Sequence, residues 1–198
     1  MAFHLYPSLD GLSKQNRYDL AGKLSGHVGA VLCLSVTEDG SLLASGGVDG
    51  LQIWDLRIRK QLGVLSGAGS WGATTAVTWV TRSNDPDNAV FFGTQSSSLV
   101  CWWQLPAKSN ARAFEEKFDM PLAGSSEITD IAFDNTTGQL AVCNCTGAVQ
   151  LYAINGNMRL SVLFSVVMQE IVPINITFCK GSDWKLLVFS LYNGAVHE

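Results

Sequence analysis

Residues 26–56 read GHVGAVLCLSVTEDGSLLASGGVDGLQIWDL, and this stretch decides the fold. Ala30 to Val36 and Leu42 to Ser45 are short runs rich in β-branched and other apolar residues, and Leu51 to Leu56 is a third that ends on Trp54-Asp55. Between them stand Glu38-Asp39-Gly40 and Val48-Asp49-Gly50, the acidic-plus-glycine pairs that close tight turns between antiparallel strands. Three strands within about 30 residues leave no room for a helix.

The same frame returns along the chain. Thr75 to Trp79, Ala89 to Gly93 and Ser96 to Trp102 make a second unit, although its turn carries Ser96 in place of the acid and Trp103 offers a rival register. Glu127 to Phe133, Gln139 to Cys143 and Thr146 to Tyr152 make a third, with the turn 135–138 between its first two strands. A fourth starts at Ile174, turns at 181–183, continues through Lys185 to Leu191 and reaches Asn193 to Val196. Trp54, Trp102 and Tyr152 therefore recur at intervals of about 50 residues, the extra length over a 40–45-residue repeat falling in the loops 82–88 and 106–116.

Gly26-His27 at the start of a unit and Trp54-Asp55 at its end resemble the WD-repeat family. The resemblance implies an all-β fold of antiparallel four-stranded blades from a β-propeller, open and incomplete, with about four blades and the last unfinished. The expected divisions are a lead-in with an outer strand over 1–24, then blades over 25–64, 65–117 and 118–165, and a partial blade over 166–198. An open arc exposes an apolar flank at each end, which makes self-association through blade edges a further expectation.

Within that family, residues placed as His27, Ser45, Asp49 and Trp54 form a hydrogen-bonded tetrad that ties the turn before a blade to its interior strands. Ser, His and Asp are also the ingredients of a hydrolase triad, but no Gly-x-Ser-x-Gly elbow surrounds Ser45. The ending Trp54-Asp55-Leu56-Arg57 resembles a motif by which some family members dock onto the adaptor of a cullin-type ubiquitin ligase, with Arg57 as the contact. Here the interval from Asp49 to Trp54 is one residue short of the usual pattern. Trp71, among glycines and a serine, is expected to be exposed and is a second partner-binding candidate, whereas Trp79 and one of Trp102 and Trp103 are expected in the core between units.

Other chemistry finds little footing. A net charge of −4 gives no surplus of Lys and Arg to displace counterions from nucleic acid. The longest apolar run, residues 160–168, falls short of the roughly 20 residues needed to cross a bilayer. Residues 1–12 do not read as a secretory signal, so an intracellular chain, cytoplasmic or nuclear, is expected. Cys143 and Cys145 lack further ligands at a metal spacing, and no metal or other cofactor is expected. Residues 67–72 are glycine-rich but lack the Gly-Lys-Ser/Thr ending of a phosphate cradle. The charged run 112–119 reads as a solvated loop, and Asp49, Asp130 and Asp134 read as turn or blade-end residues rather than as carboxylates of a channel enzyme. The function that remains is a non-catalytic scaffold holding other proteins.

Overall fold

The computed structural model describes residues 22–62, 71–82, 85–105, 113–122, 125–156, 158–179, 185–190 and 196–197. All its regular structure is strand. The first sheet contains β1 (Val31–Val36), β2 (Leu42–Gly47), β3 (Gly50–Asp55) and β4 (Lys60–Gln61). The second contains β5 (Thr74–Arg82), β6 (Asp85–Thr94), β7 (Ser98–Gln104) and β8 (Phe114–Pro121). The third contains β9 (Ile128–Asp134), β10 (Gln139–Asn144), β11 (Ala148–Ile154) and β12 (Leu160–Val167). The fourth contains β13 (Pro173–Cys179), β14 (Lys185–Ser190) and β15 (Val196–His197). Strands within each sheet follow chain order and pair antiparallel.

The first strands of successive sheets pack together, β1 on β5, β5 on β9 and β9 on β13, so the sheets stack like blades along an open arc. The three complete sheets share one register. Val36, Leu43 and Trp54 pair across the first, Trp79, Val90 and Trp102 across the second, and Phe133, Leu140 and Tyr152 across the third. Trp102, not Trp103, is thus the counterpart of Trp54.

The second sheet buries both faces because strand side chains alternate with a period of two. Val77, Trp79, Val90, Phe92, Val100 and Trp102 enter a core with Leu42, Ala44 and Ile53 of the first sheet. Their neighbours Ala76, Val80, Ala89, Phe91, Leu99 and Cys101 enter another with Ile128, Ile131, Leu140, Val142 and Tyr152 of the third. A smaller core joins Ala141, Cys143 and Val149 to Ile176 and Val188 of the fourth. Trp54 lies opposite the face that carries Ala44 and Ile53, and it is covered by the segment before β1, its ring centroid 6.5 Å from that of His27.

Two expectations are corrected. Within the run 112–119 the residues from 114 on are not loop: residues 114–121 form β8, whose Phe114 is buried while Glu115 and Lys117 are exposed, the alternation of an outer strand with one wet face. The loop expected over 82–88 shrinks because β5 runs on to Arg82 and β6 begins at Asp85. The outer strand expected within 1–24 lies mostly outside the described residues, and 22–24 carry no strand.

The hairpins between second and third strands explain the short Asp49–Trp54 interval. Gly47 and Gly50 pair around only Val48-Asp49 in the first sheet, whereas three residues separate β6 from β7 (95–97) and β10 from β11 (145–147). The last residue of each longer turn is left-handed, Ser97 at φ 68° and Gly147 at φ 90°. Glycine enters that region freely; serine pays a steric penalty. Ser97→Gly is expected to raise stability by up to about 1 kcal/mol in chemical denaturation. Gly147→Ala, whose new Cβ would strike the Met168 carbonyl, is expected to lower it by about 2 kcal/mol or more. The reverse order would contradict the turn assignments.

Candidate functional site

The most connected polar group lies where the first sheet meets the segment before it. Ser45 sits on β2 and Trp54 on β3, both facing the side covered by residues 26–28, while Asp49 occupies the turn that joins those strands. The Trp54 indole N–H donates to Ser45 Oγ at 2.8 Å. Ser45 Oγ lies 2.7 Å from His27 Nε2, and His27 Nδ1 lies 2.6 Å from Asp49 Oδ1. An indole can only donate and a carboxylate can only accept, so the ends fix Trp54 to Ser45 and His27 to Asp49, and with a neutral imidazole Ser45 donates to His27 Nε2. The Val28 N–H adds a bond to Asp49 Oδ2 at 2.8 Å. All four residues named from the sequence are brought together.

The Ser–His–Asp part of this line has the distances of a hydrolase triad, but not its accessibility. Ser45 is 3% exposed, and its oxygen already accepts from Trp54. A nucleophile needs an open approach for the substrate carbonyl, and this hydroxyl has none. What the line does is fasten the chain before β1 to the β2–β3 turn.

The other sheets keep the fastening and change its chemistry. In register, Phe92 and Val142 stand where Ser45 stands, and Ser96 and Thr146 lie six residues before Trp102 and Tyr152 in the corresponding turns. Ser96 Oγ donates to the Trp71 carbonyl at 3.1 Å, and Thr146 Oγ1 meets Ser126 Oγ at 3.0 Å, so a turn hydroxyl grips the preceding segment each time. With Phe92 in place of a hydroxyl, the Trp102 indole N–H is buried without an acceptor among the described residues. Tyr152 avoids that cost by donating to Gln150 Oε1 at 2.8 Å.

Trp71 is not the open loop residue that its neighbours imply. It is half-buried, its ring packs edge-on to Phe92 and Trp102 at 5.9 and 6.2 Å, and its N–H donates to Asp119 Oδ2 at 2.9 Å. The aromatic density of β6 and β7 supplies the packing surface that local sequence does not reveal. Arg57 is exposed in the β3–β4 turn, with one long 3.8 Å contact to Asp39. Asp39 is held down to about 2 mainly by the Thr37 hydroxyl and the Ser41 N–H, with Arg57 the smallest contributor. Asp39 belongs to the β1–β2 turn, so Arg57 and Trp71 stand at opposite ends of the sheets and are not one site.

Asp130 corrects another expectation. It lies within β9, where Oδ2 accepts from Asn175 Nδ2 at 2.6 Å and the Ile176 N–H at 2.9 Å, stitching the third sheet to the fourth. Burial pushes its carboxyl up, and the N–H groups of Ile176 and Ile131 oppose that. Thr75 donates to the Ile128 carbonyl at 2.6 Å and Trp79 Nε1 to that of Ser35 at 2.9 Å, so each seam carries such a stitch. Asp134 does cap its turn, bonding Thr136 and Thr137. Cys143 is buried with its thiol pushed up to about 11 by burial, and Cys145 lies in the turn beyond it. Among the described residues no three His, Cys, Asp or Glu gather to hold a metal, and no helix is long and apolar enough to cross a membrane.

His27→Ala and Asp49→Ala are each expected to lower stability by about 1–3 kcal/mol by stranding a bonded partner. The Val28 N–H and then His27 hold Asp49 below its usual 3.8, so its stabilisation is complete above that pH and lost as the carboxyl protonates below it. Asp49→Asn should flatten that acid loss in thermal melts. Unchanged melting in both alanine variants would contradict the tether.

No family model matches the chain. It is similar to pre-mRNA-processing factor 19 of rice (Oryza sativa subsp. japonica), 38% identical over 130 residues that cover 61% of this chain. The likeness spans 21% of that relative's length.

Proposed function

This chain belongs to the WD-repeat family, and from that premise we propose that it is a non-catalytic platform holding other proteins within a multiprotein assembly in the nucleus or cytoplasm. The observation that carries this reading is the division of labour along each sheet. Stacked faces and seam stitches hold the strands, and the tethers hold the turns, yet the turn residues themselves differ: Val48-Asp49, then 95–97, then 145–147. Rigid strands with variable turns suit partner recognition, because turns can change without disturbing the core. Fold alone does not assign a partner.

The rice relative is named for pre-mRNA processing, and an assembly of that kind is the setting this likeness favours. The acidic balance of the chain favours protein rather than RNA as the thing held. The exposure of Arg57 favours a second reading, docking onto a cullin-ligase adaptor.

Affinity purification of the tagged chain should return a reproducible set of proteins that survives nuclease treatment and is competed by untagged chain. A set lost to nuclease, or no set at all, would contradict the platform reading. Arg57→Ala should change stability by no more than about 0.5 kcal/mol in chemical denaturation, since an exposed ion pair is worth little. Loss of a cullin adaptor from that variant alone would support the second reading, and an unchanged adaptor signal would end it.

A further inference from the structure

We propose that the cavity between the first and second sheets, at the end that carries Asp49, receives one cationic side chain, a lysine or arginine presented by a partner peptide. This rests on the platform reading and names what one of its surfaces recognises.

The cavity measures about 290 Å³ and is lined by Asp49, Leu51, Trp71, Thr74, Phe92 and Trp102, among others. Drug-sized ligands occupy pockets of about 300–1,000 Å³, so this volume suits a single side chain. Three aromatic rings share its wall, Phe92 and Trp102 with centroids 4.9 Å apart and Trp71 edge-on to both. Phe92 and Trp102 are nearly fully buried, so half-buried Trp71 is the ring a guest meets; aromatic faces attract cations, and guanidinium and ammonium groups are the biological ones of this size.

Charge selects the same guest. Asp49 adds a carboxylate to the wall, and among the described residues lining the cavity none is Lys, Arg or His. Its oxygens accept from His27, from the Val28 N–H and, at 3.5 Å, from Gln52 Nε2, a long neutral contact that a charged donor can displace. Asp119, bonded to the Trp71 N–H, places a second carboxylate behind that ring. An anionic guest meets repulsion from both, and a purely apolar guest strips water from Asp49 without replacing it.

The wall is also set in advance. Trp71 is held by Asp119 through its indole and by Ser96 through its carbonyl, so binding need not order it. The rival guest is a neutral amide, which would pack on the Trp71 ring without a charge.

The test is an NMR titration of chain carrying ¹⁵N-labelled tryptophan, followed at the Trp71 and Trp102 indoles. The probes are the N-acetyl amides of arginine, lysine, ε-acetyl-lysine and norleucine. Saturable shifts are expected with arginine and lysine, and at least about tenfold weaker binding with norleucine, a difference of about 1.4 kcal/mol. Asp49→Asn should weaken the cationic probes. Val48→Lys, at a rim position 52% exposed, should abolish their binding by placing an ammonium beside Asp49, and it leaves the tether residues intact. Equal binding of norleucine, tighter binding of ε-acetyl-lysine, or undiminished binding to Val48→Lys would overturn the inference. Purified partners retained by a wild-type chain that ignores the cationic probes would remove this inference alone. Probe binding without any partner would remove the platform reading instead.

Discussion

Everything in this chain depends on the need of a twisted sheet to cover both of its faces. The second sheet meets it most fully: Ala89 and Phe91 go one way, Val90 and Phe92 the other, and each set finds apolar partners on a neighbouring sheet. A slip of one residue would exchange the two sets, which makes the shared register of Trp54, Trp102 and Tyr152 a packing requirement. Where no described sheet stands opposite, apolar side chains stay in water. Leu32, Leu34 and Val36 on β1 are at least half exposed, and Phe164 and Val166 on β12 are uncovered beside the short fourth sheet.

Polar contacts then fix how the stacked sheets and their connections sit. Along the seams the bonds come from Ser35, Thr75 and Asp130 on first strands or their immediate acceptors, each joining one sheet to the next. At the turns the first sheet uses a four-residue line, whereas the second and third use a single hydroxyl, Ser96 or Thr146. The exchange of Ser45 for Phe92 trades a hydrogen-bonded interior for an aromatic one. It leaves the Trp102 N–H without an acceptor among the described residues, at a cost on the order of 1–3 kcal/mol, offset by ring packing against Phe92 and Trp71.

Much of this was legible in the sequence, because its signals are local. Gly26-His27, the turn glycines and the spaced aromatics report strand, turn and repeat directly, and the grouping of His27, Ser45, Asp49 and Trp54 comes from the family resemblance those signals carry. The outer strands were not legible for three separate reasons. β4 is only Lys60-Gln61; β8 alternates charges as a solvated loop also does; β12 is a mostly apolar run, broken by Ser161 and Ser165, without the alternation of a half-buried strand. Trp71 and Asp130 escaped because their settings are made by residues distant in the chain, Asp119 and Phe92 for one, Asn175 and Ile176 for the other.

Amide hydrogen exchange tests the stacking most directly, since protection follows burial and bonding strand by strand. The stack predicts slowest exchange in β6, β7 and β10, which are bonded on both sides and covered on both faces, and much faster exchange in β1 and β12 at the uncovered flanks. Equal protection across all of these strands, or greater protection in β12 than in β6, would contradict it.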